Sequence, residues 1–257
     1  MWDYNIIHWC IFFAIYCFAG WCFECVYVSM CEKKLTNRGF LTGPFLPIYG
    51  SGAIIILIAT IPAKNNYVLV FIFGMIAATA LEYITGVVME RALKMRYWDY
   101  SDETLNYKGY ICLKASLTWG LFSVLLIRII HKPVEQLVFR LDIKVGFVLA
   151  VVFALIFFID LMLSIRSALD LKEMLKQITD NLEEVKRLQK RLDVLIAVTE
   201  EDRKEFIRNM EMKISEGKAM YRKARLDIRL MLKAHPRATS ERFRDALVEL
   251  KEYIYKK

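Results

Sequence analysis

Apolar positions in this chain come first in long unbroken runs and only later in periods. Five runs, near residues 5–30, 44–62, 67–90, 110–130 and 145–165, fit or nearly fit the roughly 20 apolar residues that a helix needs to cross a bilayer. From Leu171 the pattern becomes a heptad: Leu171, Ile178, Val185 and Leu192 recur every seven residues, and Leu175, Leu182 and Ile196 fill the partner position. Gln189 stands in that second row as a polar core residue of the kind that fixes register. Past Thr199 the seam thins to Phe206, Met210 and Ile214, Gly217 interrupts it, and His235-Pro236 ends the helix. A last helix opens at Ser240 and presents Phe243, Leu247, Leu250 and Ile254 on one side. The pattern predicts an all-α membrane protein: five transmembrane helices in residues 1–165, then a cytoplasmic helical tail, 166–257, with a coiled coil over about 171–199. The tail forms either an intramolecular helical hairpin or a parallel bundle shared by subunits. The clean heptads running directly out of the fifth membrane helix favour a homo-oligomer.

Composition sharpens the division. The 257 residues are 56% hydrophobic, yet charge is unevenly spread. Up to Ile165 there are 13 Lys and Arg against 11 Asp and Glu, and from Arg166 onward 23 against 17, a net +6. Because the tail's positive charges are interleaved with acids, nucleic acid is not an expected partner, whereas an anionic membrane surface is. Short loops retain Lys and Arg on the cytoplasmic side. Lys33, Lys34 and Arg38 follow the first run, and Arg91, Lys94, Arg96 and Lys108 follow the third. The opposite face has Lys64, then Lys132, Arg140 and Lys144. The expected orientation is N-terminus outside and tail in the cytoplasm. The first run lacks the basic leader of a signal peptide, so it is expected to stay in the mature protein.

Charge at bilayer depth is costly and usually faces a cavity or a partner. Glu24, Glu82 and Asp160 fall within the first, third and fifth runs. Glu82 lies on a stripe of Gly74, Ala78, Glu82, Gly86 and Glu90, spaced by four, which reads as a packing seam that carries a carboxylate. Setting Glu24 over Glu82 also brings Glu32 over Glu90, Lys33 over Arg91, Leu35 over Leu93 and Arg38 over Arg96. That overlay suggests a parallel internal repeat with Glu24 and Glu82 at equal depth, about 12 Å inward of Glu32 and Glu90. The acids either lock the bundle by pairing with Arg38, Arg96 or Lys114, or line a path for a cation, proton or substrate.

Two loops are unusual. "NRGFLTGPFLPIYGSG", residues 37–52, crowds glycines and prolines into the start of the second run. It is either a tight interfacial loop with Pro44 or Pro47 in the first helical turn, or irregular backbone lining a cavity, which can coordinate an ion or polar ligand beside Glu24 and Arg38. "RYWDYSDETLNYKGYICL" places Tyr97, Trp98, Tyr100, Tyr107 and Tyr110 around Asp99, Asp102 and Glu103. It is a headgroup anchor or an aromatic box for a cationic ligand. The first loop, with "WDYS" and the later "GYICL" leading into "SLTWG", resembles the bacterial membrane-protein family known as putative ABC-transporter type IV, over roughly residues 15–130. The resemblance implies a multi-pass protein of the bacterial cytoplasmic membrane with a transport role. It carries over Asn37, Arg38, Gly39, Pro44, Pro47, Tyr49 and Gly50 from the first block and Trp98, Asp99, Tyr100 and Ser101 from the second.

Other chemistry is sparse. Cys22 and Cys25 have C-x2-C spacing but no second pair, so the six cysteines read as small packing residues and no metal or cofactor is expected. His8, His131 and His235 read as interfacial or solvated. There is no G-x4-G-K-[ST] loop, so a permease would need its ATPase on another polypeptide. No nucleophile and base pair stands out, and no enzyme is expected. The leading expectation is a transport protein moving an ion or small cationic or polar solute along a path of Glu24, Glu82, Asn37, Arg38, Glu90 and Arg96. Trp98, Asp99, Tyr100 and Ser101 form a possible ligand loop. The alternatives are a homo-oligomeric cation channel assembled by the tail, and a scaffold whose acids are structural.

Overall fold

The computed structural model describes residues 4–33, 37–63, 65–194, 200–222, 224 and 226–255. Lys34, Leu35, Lys64, Ile196 and Thr199, with the side chains of Glu32 and Leu192, lie outside the described residues.

Side-chain caps set the helix starts. Asn5 opens α1 (Ile6–Glu32) in a reciprocal capping box with His8, and Asn66 opens α3 (Tyr67–Leu93) by accepting from the amides of Val68 and Leu69. Pro47 takes the first turn of α2 (Pro47–Thr60), where its missing N–H costs nothing. A small hairpin, β1 (Asn106–Tyr107) with β2 (Ile111–Cys112), leads into α4 (Leu113–Leu125), whose cap is the Cys112 thiol. A π-turn over Leu126–Ile130 joins α4 to α5 (His131–Phe139). Then α6 runs unbroken from Ile143 to Val194, followed by α7 (Glu200–Arg222), α8 (Leu226–Ala234) and α9 (Arg244–Tyr255).

Among the described residues, four helical stretches are long and apolar enough to cross a membrane: Ile6–Cys31, Tyr67–Leu93, Leu113–Phe139 and Ile143–Arg191. The second apolar run gives only a shorter helical stretch, Pro47–Ala63, instead of the spanning helix expected over 44–62. At 1.5 Å per residue it reaches about 25 Å, against roughly 30 Å of hydrocarbon. The glycine and proline segment before it accounts for the difference. Instead of joining the helix, the segment sinks beside α1, where the Leu46 amide donates to the Cys17 carbonyl at 3.0 Å, halfway along that helix. Non-helical backbone at such depth needs internal partners. Asp160 of α6 supplies them, accepting from the Thr42 amide at 3.1 Å and the Gly43 amide at 2.9 Å. The segment is thus irregular backbone held against α1 and α6, with Leu41 and Leu46 buried and Thr42 and Pro44 exposed. Gly50 then lets α2 meet α1 backbone to backbone, since a Cβ there would lie 2.9 Å from the Phe13 carbonyl and against the Cys17 thiol.

The tail is a helical bundle. Leu171, Leu175 and Ile178 are buried against Ile228, Leu232, Leu247 and Leu250 of α8 and α9. The first part of the heptad face, Leu171, Leu175 and Ile178, is therefore covered within one chain, while Leu182 and Val185 are half-buried. Two further expectations change. Gly217 does not interrupt α7; it allows close approach to Asn181 of α6. Gln189 is exposed, and the buried polar residue is Asn181, which donates to the Lys213 carbonyl at 3.2 Å. Phe243, Leu247, Leu250 and Ile254 form the buried face of α9 as expected.

The bundle sits on the membrane domain. Met95 and Tyr97, just past α3, belong to its core. Arg96 pairs as an antiparallel bridge with Thr239, the Ser240 hydroxyl donates to the Lys94 carbonyl at 2.6 Å, and Lys172 donates to the Ala92 carbonyl at 2.9 Å. His235, expected to be solvated, is buried, with its ring edge-on to Tyr97.

Candidate functional site

The predicted stripe on α3 is a packing seam: Gly74, Ala78, Glu82 and Gly86 are buried, with Gly74 against Ser123 of α4 and Gly86 against Tyr110. Glu82 is 5% exposed. Its Oε1 accepts from the Tyr100 hydroxyl at 3.0 Å, and its Oε2 accepts from the Trp119 indole at 3.1 Å. Among the described residues no cationic side chain stands within ion-pair distance of it. Hydrogen bonds to a charged group contribute about 1.5–3 kcal/mol each, whereas desolvating an ion costs several kcal/mol. Two neutral donors hold this carboxyl group in place but bring no positive charge to balance it when it is ionised. Burial beside Glu82 raises the Tyr100 hydroxyl far above its ordinary range, so it remains a donor.

Glu24 is the second acid of the group. It lies 4.0 Å from the Arg38 guanidinium and accepts from the Tyr49 hydroxyl at 3.5 Å. Tyr49 and Tyr100 are each within electrostatic reach of both Glu24 and Glu82, so α1 and α3 direct their acids toward one pair of phenols. Gly20 makes this possible, because a Cβ there would overlap the Tyr49 side chain. The Tyr49 and Trp119 rings are tilted against each other at 56°, with centroids 5.6 Å apart.

Of the remaining predicted residues, Arg38 joins this group through Glu24 and also donates to the Ala234 carbonyl of the tail at 2.7 Å, while the others lie apart from it. Asn37 accepts from the Trp21 indole at 2.7 Å and anchors the loop to α1. Glu90 and Arg96 pair with each other at 2.9 Å at the tail interface, where Arg96 also meets Glu241 at 2.8 Å and lies over the Tyr110 ring. Of the aromatics of the second loop, Tyr110 thus already carries a cation of the same chain. Of Trp98, Asp99, Tyr100 and Ser101, only Tyr100 touches Glu82. Trp98 donates to the Tyr110 carbonyl, while Asp99 accepts from Ser101 and from Thr239 of the tail. Burial by itself would raise the Asp99 carboxyl, but the Ser101 and Thr239 hydrogen bonds and Arg96 outweigh it and hold the group below its usual range.

The proposed repeat does not extend to structure. Both helices end in a left-handed residue, Lys33 and Lys94, a spacing of 61 rather than the 58 of the sequence overlay. Glu24 and Glu82 therefore differ by three residues, roughly 4.5 Å, in their distance from those ends. Their arginines also differ, since Arg38 faces Glu24 while Arg96 faces Glu90.

A second polar group, unseen in the sequence, lies toward the other end of the bundle. His131 is 1% exposed, so its ring is not solvated. Its Nδ1 is 2.7 Å from the Tyr16 hydroxyl and its Nε2 is 2.9 Å from the Tyr4 hydroxyl, which donates to Glu135. The directions close as a chain if Tyr16 donates to Nδ1 and Nε2–H donates to Tyr4. Between the two polar groups lies an apolar cavity of about 190 Å³ bounded by α1, α2, α4 and the π-turn, with Tyr16 toward one group and Tyr49 and Trp119 toward the other.

Long apolar helices packed around a buried carboxylate, Glu82, fit a polytopic helical membrane protein. Residues 11–165 match the family described as Putative ABC-transporter type IV, and the chain belongs to that family. No curated protein and no solved structure matches it.

Proposed function

We propose that this chain is a transport protein of the bacterial cytoplasmic membrane, and that a cation or proton passes it by way of Glu82 and Glu24. The observation that carries this reading is the Glu82 carboxylate, buried in a membrane helix seam and held by two neutral donors with, among the described residues, no cation beside it. A buried charge left uncompensated attracts a mobile positive partner. The position of the cavity between that carboxylate and the Tyr16, His131 and Glu135 chain supports a path of three parts: a polar outer group, an apolar middle and an acidic inner group. The basic short loops support a cytoplasmic tail, and its contacts with Arg38 and Arg96 support a position for it near the inner end of the path. Any ATP-driven step would come from a separate polypeptide. In proteoliposomes, Glu82→Gln is expected to lower proton or monovalent cation flux at least tenfold with insertion unchanged. Equal flux in the variant removes the mechanism.

A further inference from the structure

We infer that the cavity takes an amphiphilic cation, a single positive head carried on an apolar chain, and this rests on the transport reading above. A site built for a bare inorganic ion would line its cavity with oxygen ligands. Here the walls are Ala19, Phe23, Ile56, Phe122 and Leu125, and the polar atoms of Tyr49 and Trp119 are engaged with the carboxylates behind them. What those two residues offer the cavity is ring surface. A ring whose polar hydrogen is donated to a carboxylate presents a more electron-rich face, and aromatic faces hold quaternary ammonium groups. The head would rest on Tyr49 and Trp119, attracted by Glu24 and the uncompensated Glu82. The chain would occupy the apolar stretch toward Leu125 and Ile130. Ala19, at an exposed position of α1, stands where a larger side chain would narrow the cavity without entering the carboxylate group.

The test uses the full-length protein in nanodiscs and radiolabelled octyltrimethylammonium, with empty nanodiscs subtracted. Saturable binding is expected, at least tenfold weaker in Glu82→Gln and in Ala19→Phe. Tetramethylammonium, which has the head without the chain, should compete at least 30-fold less well, and octyl sulfate, with the chain but the wrong charge, should not compete. Absence of saturable binding, binding unchanged in both variants, or equal competition by octyl sulfate overturns the proposal. Failure of this proposal and failure of the transport reading are separable. No amphiphile binding alongside Glu82-dependent flux of inorganic cations sinks only the amphiphile. Glu82-dependent binding without any flux supports the site and sinks only transport.

Discussion

Lowering the pH from 7 to 5 should loosen the tail from the membrane domain, through His235. This imidazole is buried, with Nδ1 against the Met231 carbonyl, and its pKa is pushed down to about 3. Burial is the largest cause, the charges of Arg38 and Lys251 add to it, and the Met231 hydrogen bond opposes it. The folded tail therefore binds fewer protons than the unfolded one, so stability is complete above the ordinary histidine value of about 6.5 and declines as pH falls toward 3. Below that value the loss levels off. Each pH unit inside the window costs about 1.4 kcal/mol, and the cost at pH 5 is about 2 kcal/mol, roughly a 30-fold rise in the open population. Asp99, whose pKa is lowered, pulls in the same direction only below about pH 4, where an ordinary carboxylate starts to protonate. Hydrogen exchange over residues 226–255 in nanodiscs, corrected for intrinsic rates, reads this directly. His235→Phe keeps a ring beside Tyr97 and removes the titration, so its protection should be flat from pH 7 to 5. Equal protection of the wild type at both values, or the same loss in the variant, would refute the reasoning.

Two further outcomes follow from the contacts. Asp160→Ala removes the acceptor of the half-buried Gly43 amide and of the exposed Thr42 amide; at about 1–3 kcal/mol for one unsatisfied buried donor, thermal unfolding in detergent should show a loss of roughly 1–3 kcal/mol, with Asp160→Asn milder. Arg96→Ala should free the tail to limited proteolysis. Its pairing with Glu241 is exposed and counts for little, but Glu90 would be left largely buried without its cation, a loss of about 3–5 kcal/mol.

What the sequence reveals depends on how local the controlling contacts are. The seam at Gly74, Ala78, Glu82 and Gly86 is legible because small residues four apart share one helix face whatever lies opposite. The Gly and Pro segment at 37–46 is legible as irregular, but its depth is set by Cys17 and by Asp160, more than 110 residues away. The heptads mark an apolar face at Leu171, Leu175 and Ile178 without saying that α8 and α9 of the same chain cover it. His131 and His235 look like lone polar residues, since Tyr4, Tyr16 and Tyr97 reach them from distant elements. Trp119 lies in the "SLTWG" motif, but nothing in that motif links it to Glu82; the α3 and α4 packing brings them together. The repeat misled because matching charges at two helix ends need not share a register, and the two caps differ by three residues.

The most direct test of the central claim is flux through purified protein in liposomes, with wild type and Glu82→Gln at matched, verified insertion and under imposed proton and monovalent cation gradients. The account predicts a wild-type flux that falls at least tenfold in the variant, with less effect from Glu24→Gln, whose acid already has Arg38 beside it. Wild-type flux undiminished by Glu82→Gln would contradict it and leave the buried carboxylate as a packing element alone.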